Sequence, residues 1–199
     1  LAAAQVGTRP CAEIARELLD AAGSGPALNR PKRHASIRHV IEQSLCAASP
    51  EQAQAFASLA LFRGTFSAAL AFAVARVGEG VLQELAGRAL VQRDGTSFSL
   101  HPLLRQVALQ RLTRRRGIAR RIEASYAEEI GRRAEREDDR LLGRESAQAM
   151  AGISGRLNDE LAALRIAAAH GDTPSAVRLA MAVAHTARAR GLERACLEE

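Results

Sequence analysis

Aromatic residues are scarce in this sequence. They make up 3% of the 199 residues, and there is no Trp. Because β-sandwiches draw their cores largely from β-branched and aromatic side chains, this composition favours Ala and Leu packed between helices. The hydrophobic share of 47% is enough for a buried core, and the length fits one or two domains.

Cysteines and long apolar runs are also few. Cys11, Cys46 and Cys196 lie far apart and form no Cys-x-x-Cys pair, which argues against a disulfide framework or a zinc site and fits a reducing cytoplasm. No apolar run approaches the roughly 20 residues that a membrane span needs, and no basic head precedes an apolar run and cleavage site. We therefore predict a cytoplasmic protein with no membrane partner.

The two ends of the sequence indicate a longer parent protein. The first residue is Leu1 rather than Met, in the middle of a helical pattern, and the chain stops within another, Leu192–Glu199. We expect the chain to be a fragment.

The net charge of +6 has the sign that nucleic acid attracts. Almost all the basic residues are Arg, however, and they are interleaved with Glu and Asp. The densest run, Arg114–Arg116 followed by Arg120 and Arg121, precedes acidic residues on the same helix, where opposite charges four residues apart can pair. No aromatic residues are interleaved for base stacking. We predict a solvated, partly self-neutralised helix face.

Hydrophobic periodicity predicts a mainly α protein with one β-hairpin. Ser49-Pro50-Glu51-Gln52 has the residues of a capping box with Pro at the first helical position, so a helix is expected from here to Gly64. Further helices are predicted over Thr65–Ala75, Val81–Arg88 and Leu103–Leu112. Between the last two, segments 89–93 and 97–100 flank Asp94-Gly95-Thr96, where the Asp-Gly pair supplies the positive φ of a tight turn.

Three helices, a two-stranded wing and another helix follow the order of a winged helix-turn-helix. A two-stranded hairpin is marginally stable in water, so its apolar residues are expected to pack on the helices. These residues are Leu90, Val91, Phe98 and Leu100.

Beyond Gly117 the pattern is helix upon helix. Apolar residues first recur at every fourth position, at Ile118, Ile122, Tyr126 and Ile130. A predicted helix over Arg156–His170 ends at Gly171, and its apolar face is Leu157, Leu161, Leu164 and Ala168. Thr173 is predicted to cap a further helix that ends at Gly191 and carries Val177, Leu179, Met181 and Val183. Paired helices with Ala at their contacts predict tetratricopeptide-like repeats.

Four segments, taken in order, carry a family resemblance: Arg38–Leu45, Ser49–Gln52, Leu59–Phe66 and Leu100–Ala108. Together they resemble the bacterial NB-ARC (STAND) signal-transduction ATPases, which are often described as predicted ATPases or transcriptional regulators. The resemblance spans nearly the whole chain. It implies the end of a helical domain (1–22), a linker and connecting helix (23–48), a winged-helix domain (49–116) and an incomplete helical-repeat region (117–199).

The resemblance also implies a non-catalytic segment of a nucleotide-switched regulator. In the family, ADP holds the arms closed, the winged helix packs on the upstream ATPase domain, and a histidine after the second wing strand reaches the phosphates. His101 holds that place, in Leu100-His101-Pro102 where the family often has Met-His-Asp. ADP or ATP with Mg²⁺ would belong to the parent, because nothing here matches GxxxxGK[ST]. The repeats would bind a protein or peptide partner.

His101 is the one candidate for chemistry in the chain. An imidazole at a strand end can donate a charge-assisted hydrogen bond to a phosphate, and Pro102 would fix the turn into the next helix. The alternative is an ordinary histidine bonded to the backbone.

A DNA-binding transcription factor module is the alternative function. Winged helices often place their third helix in the major groove, but here that helix carries Glu79 and Glu84, whose carboxylates would repel phosphates. Arg88, Arg93 and Arg105 remain as possible nucleic-acid contacts. We expect direct DNA binding to be the weaker of the two functions.

No catalytic or metal-binding constellation is predicted. His34 and His39 are five residues apart, and no HExxH frame exists. Glu128 and Glu129 are adjacent and point in different directions on a helix, and Ser44 has no GxSxG context. We predict no enzyme activity and no metal in this chain.

Overall fold

A computed structural model describes the backbone of residues 41–141 and 146–189, and the side chains of residues 41–137 and 156–188. The helices predicted before residue 41, the candidates Cys11, His34, His39 and Cys196, and the C-terminal pattern after Ala189 lie outside the described residues. Within the described part the protein is mainly helical, as predicted, with one small antiparallel sheet.

The described chain starts with helical residues 41–46. The helices that follow are α1 (Pro50–Ser58), α2 (Ala68–Ala75), α3 (Glu79–Gly87), α4 (Pro102–Thr113), α5 (Arg116–Leu141), α6 (Ser146–His170) and α7 (Thr173–Ala189). A 3-10 turn over Leu59–Leu61 continues α1. The strands are β1 (Phe66–Ser67), β2 (Gln92–Asp94) and β3 (Ser97–Ser99).

The start of α1 has the predicted capping box. The Ser49 side chain accepts a hydrogen bond from the Gln52 N–H at 3.1 Å, and the Ser49 N–H donates to Gln52 Oε1 at 2.9 Å. Pro50 occupies the first turn, where its missing N–H leaves no bond unmade. Local sequence alone therefore fixes where this helix begins.

The predicted hairpin is present, with shorter strands. Asp94 pairs with Ser97, so Gly95 and Thr96 form a two-residue turn, and Gly95 has a φ of +57°. The predicted first strand began at Ala89, but Ala89 instead ends α3 in the left-handed region at φ +54°. The Leu90 N–H then donates to the Leu85 carbonyl at 2.9 Å, which closes the helix end.

The prediction that Phe66 and Ser67 belong to the second helix is wrong. These two residues form β1, which pairs antiparallel with β3, so the sheet order is β1-β3-β2. The Ser67 side chain accepts from the Leu70 N–H at 3.2 Å, so α2 starts after it and Phe66 stays extended.

The buried face of α6 differs from prediction, and the sequence had not indicated which apolar residues of α7 are buried. On α6, Leu157 is buried but Ala168 is exposed, and the buried face carries Arg156, Asp159 and Glu160 beside alanines. On α7, Val177 and Met181 are 57% and 58% exposed, while Leu179 and Val183 are buried. The cap of α7 is Asp172, which accepts from the Ser175 N–H at 3.2 Å, rather than Thr173.

The core is continuous from the small sheet to the long helices. Leu90, Val91 and Phe98 are buried as expected, and Leu100 packs against the same core from a half-buried position. Phe66 stacks on Phe62 with ring centroids 4.3 Å apart, and Phe62 meets the edge of Tyr126 on α5 at 5.6 Å. The few aromatic residues are thus concentrated where the sheet meets α5. No helix in the described ranges is long and apolar enough to cross a membrane.

Candidate functional site

His101 lies between β3 and α4 and caps the helix. Its Nδ1 accepts a hydrogen bond from the Leu103 N–H at 3.3 Å, and Pro102 occupies the first turn. The side chain is exposed. Nδ1 is thus engaged in the helix cap, and Nε2 is the ring nitrogen left to face a ligand.

His101 and Arg93 line one groove of about 630 Å³. Its apolar wall comes from helical residues 41–46, the end of α3 and the start of α4, through residues that include Ile41, Ala89 and Leu104. Arg93 is exposed on β2, and its Nε donates to the Gly95 carbonyl at 3.0 Å. The groove brings an imidazole and a guanidinium together.

The other two candidate residues lie elsewhere. Arg88 forms the C-terminal cap of α3 and does not line the groove of His101. Arg105 lines a second groove, of about 700 Å³, between α4 and α6 together with Arg63 and Arg165. Burial, and after it the nearby Arg63 guanidinium, lower the pKa of Arg105. The four predicted contact residues therefore do not form one surface.

A buried polar cluster joins α6 to the segment after α1, and the sequence reasoning missed it. Asp159 Oδ1 accepts from the Tyr126 hydroxyl and from the Arg63 backbone N–H, each at 2.6 Å. Asp159 is 4% exposed, and Tyr126 is fully buried. An acid placed between Leu157 and Leu161 on a helix gives no sequence signal of burial, because its two donors come from distant segments.

Burial dominates the electrostatics of this cluster. Desolvation raises the pKa of Asp159, and the hydrogen bonds from Tyr126 and from backbone N–H groups partly oppose this rise. Burial and the adjacent carboxylate also raise the pKa of Tyr126 well above its ordinary value, so the phenol stays protonated and remains a donor. The cluster has the properties of a structural joint between elements.

The arginine run at the start of α5 is not neutralised as predicted. Glu128 and Glu129 pair with Arg132, at 2.6 and 3.0 Å, and Glu123 pairs with His170 at 3.0 Å. Within the part of the chain that the structure describes, none of the five exposed arginines of the run forms an ion pair; they are Arg114, Arg115, Arg116, Arg120 and Arg121. Because these acidic residues pair with Arg132, further along α5, and with His170, the surface formed by the arginine run is strongly positive.

Among the described residues, no group of three or more His, Cys, Asp or Glu side chains could hold a metal ion. Comparisons of the chain with protein-family models, with curated proteins and with solved structures found no match. The function is therefore proposed from the fold, the grooves and the sequence resemblance.

Proposed function

We propose that this chain is a non-catalytic segment of a cytoplasmic, nucleotide-switched regulator of signal transduction or transcription. In this proposal residues 49–116 form a winged helix that packs on an upstream ATPase domain, and the helices after Gly117 form tetratricopeptide-like repeats that bind a protein partner. ADP or ATP with Mg²⁺ would be bound by the parent protein.

The order of elements carries this proposal. Helix, strand, two helices and a hairpin follow one another, and the first strand pairs with the last to give the order β1-β3-β2. This order resembles that of a winged helix and supports the proposal, with β1 as a strand that the sequence did not indicate. His101 follows β3 after one residue, Leu100, near the position from which the resembled family reaches its nucleotide.

The groove of His101 and Arg93 is the surface that would meet the nucleotide domain. Its apolar wall suits domain packing, and its polar residues are a hydrogen-bond donor and a guanidinium, both of which suit phosphate oxygens. The three long helices α5, α6 and α7 pack side by side, as stacked helix pairs do.

His101 can be tested without confusing its two roles. Asn also caps helices well, so His101→Asn should keep the α4 cap while removing the imidazole, whereas His101→Ala removes both. In the chain joined to its upstream ATPase domain, we expect both variants to weaken ADP binding at least tenfold by calorimetry. Unchanged ADP affinity in His101→Asn would reject this role.

DNA binding by the third helix, α3, has less support. The Gln83 side chain donates to Glu79 Oε1 at 3.2 Å, and the Gln52 side chain donates to Glu84 Oε2 at 2.6 Å. The amide of α3 is therefore occupied by a carboxylate of the same helix, and Glu84 is held by Gln52 of α1. A gel shift of the 199-residue chain across salt concentrations separates the two functions, since sequence-preferring binding at moderate salt would favour DNA.

A further inference from the structure

A groove beside the arginine run combines an apolar floor with a basic rim. It has a volume of about 660 Å³ and lies between α1, α3, the end of α2 and the first turns of α5. Its apolar floor consists of Ala55, Val74, Val77, Val81, Ile118 and Ile122. Of these, Val81 and Ile118 are half-buried, whereas the other four are buried. Clefts of this size and character are ordinary binding sites.

The rim of the groove is mainly positively charged. Arg76, Arg115 and Arg121 line the groove, and the acidic residue opposite them is Glu51. Arg76 is exposed, and its guanidinium lies 5.5 Å from the ring centroid of the exposed Phe72. Arg121 is exposed and forms no ion pair within the described residues, and neighbouring Arg120 adds a further unpaired charge.

We propose that this groove, named here the α1–α5 groove, binds an acidic amphipathic helix of a partner protein. Apolar side chains of that helix cover Val81 and Ile118, while its carboxylates pair with Arg76, Arg115 and Arg121. An arginine guanidinium can bind a carboxylate through two parallel hydrogen bonds, and apolar side chains of a partner that pack on the groove floor stabilise the complex. The α1–α5 groove is separate from the groove of His101, so this inference does not depend on the proposed nucleotide switch.

The apolar floor of the α1–α5 groove favours a peptide ligand over a nucleic acid. A phosphate backbone would pair with the arginines but leave the half-buried Val81 and Ile118 in contact with water. Single-stranded nucleic acids bind apolar surfaces by stacking their bases on aromatic side chains, and the lining of this groove contains no aromatic residue. The combination of apolar floor and basic rim therefore fits an acidic helix better than a nucleic acid.

The test measures binding of a designed probe to the full 199-residue chain. The probe is a fluorescein-labelled 16-residue peptide with Leu at helical spacing and Glu elsewhere, and its control carries Gln in place of Glu. Fluorescence anisotropy at about 0.1 M salt should show binding of the Glu peptide and at least tenfold weaker binding of the Gln peptide.

Matched charge reversals locate the site. Arg121→Glu should weaken binding of the Glu peptide at least tenfold, because an exposed cation at the rim becomes an anion. Arg136→Glu makes the same change on an exposed residue of the same helix, roughly 22 Å further along its axis, and should alter affinity less than twofold. Both variants should keep the wild-type thermal midpoint within a few degrees.

Three results would overturn the proposal: no binding of the Glu peptide, equal effects of the two reversals, or equal affinity for the Gln peptide. A single-stranded DNA 16-mer that binds more tightly than the Glu peptide, and loses that binding in Arg121→Glu, would assign the arginines to nucleic acid instead.

Discussion

Asp159 shows how one side chain can hold three segments together. Its carboxylate lies on α6, and its donors are the hydroxyl of Tyr126 on α5 and the backbone N–H of Arg63 after α1. Removing the carboxylate takes away the shorter of the two acceptors of the buried Tyr126 hydroxyl, whose other acceptor is the Asp159 carbonyl at 3.4 Å, and the acceptor of the half-buried Arg63 N–H bond.

We expect Asp159→Ala to lower the free energy of unfolding by about 1–3 kcal/mol, because it removes the hydrogen bonds that the carboxylate accepts from the Tyr126 hydroxyl and the Arg63 N–H. Urea denaturation measures this loss. Asn158→Ala is the control, since Asn158 is the exposed neighbour on the same helix and should change stability by less than about 0.5 kcal/mol. Equal losses in the two variants would contradict a structural role for the carboxylate.

The contribution of Asp159 to the stability of the fold changes with pH in a definite direction. Its folded-state pKa is raised above the ordinary value of 3.8, so the folded protein holds the proton more tightly than the unfolded chain. Stability from Asp159 is therefore complete below about pH 3.8 and declines as the pH rises through the folded pKa. Asp159→Asn keeps an oxygen acceptor but cannot titrate, so the wild-type stability minus that of Asp159→Asn should shrink as pH rises. A difference that grows with pH would contradict this.

At the scale of secondary-structure elements, the conformation at the ends of the helices determines much of the local backbone structure. Helix α3 ends at Ala89, a non-Gly residue in the left-handed region, where a Cβ costs energy that glycine avoids. We expect Ala89→Gly to raise the free energy of unfolding by about 0.5–1 kcal/mol. Ala86→Gly, within α3, should lower it by about 1 kcal/mol because glycine is unfavourable inside a helix. Thermal unfolding of both variants checks the two opposite signs.

Sequence patterns predicted the elements that rest on local chemistry. The capping box of α1 and the Gly95 turn are each specified by residues within a few positions of one another, and both are present. Strand β1 was missed because its two residues become a strand only by pairing with Phe98 and Ser97 far along the chain. The exposure of Val177 and Met181 was missed for the same reason, since periodicity indicates an apolar face but not which neighbours cover it.

The candidate site, too, was predictable only where it depends on neighbouring residues in the sequence. The position of His101 at the end of β3 was predictable from the hairpin pattern, and its neighbour Arg93 lines the same groove. That Arg105 would lie in a different groove, and that Glu128 and Glu129 would pair with Arg132 instead of the earlier arginines, depends on helix placement and rotamers. Spacing rules list possible ion pairs but do not choose among them.

At the scale of the whole molecule, the described residues share one core. Buried side chains run without interruption from Ile41 through Phe98 and Tyr126 to Leu179. We expect residues 41–189 to unfold in a single transition, with the same midpoint by far-ultraviolet circular dichroism and by Tyr126 fluorescence. Phe98→Ala should lower the free energy of unfolding by about 3–5 kcal/mol and shift both probes together, because it removes a buried ring that links sheet and helices. Two separated midpoints would contradict the single unit.

The reach of Asp159 has a practical consequence for dissecting the protein. A truncated version that stops after α4 would retain Arg63 and its backbone N–H but lose both Tyr126 and the carboxylate that N–H requires. It would also uncover the side of Phe62 that meets the tyrosine ring. The shortest piece to keep this joint intact therefore extends at least through α6, and we expect residues 49–116 studied alone to aggregate or to remain loosely ordered near residue 63.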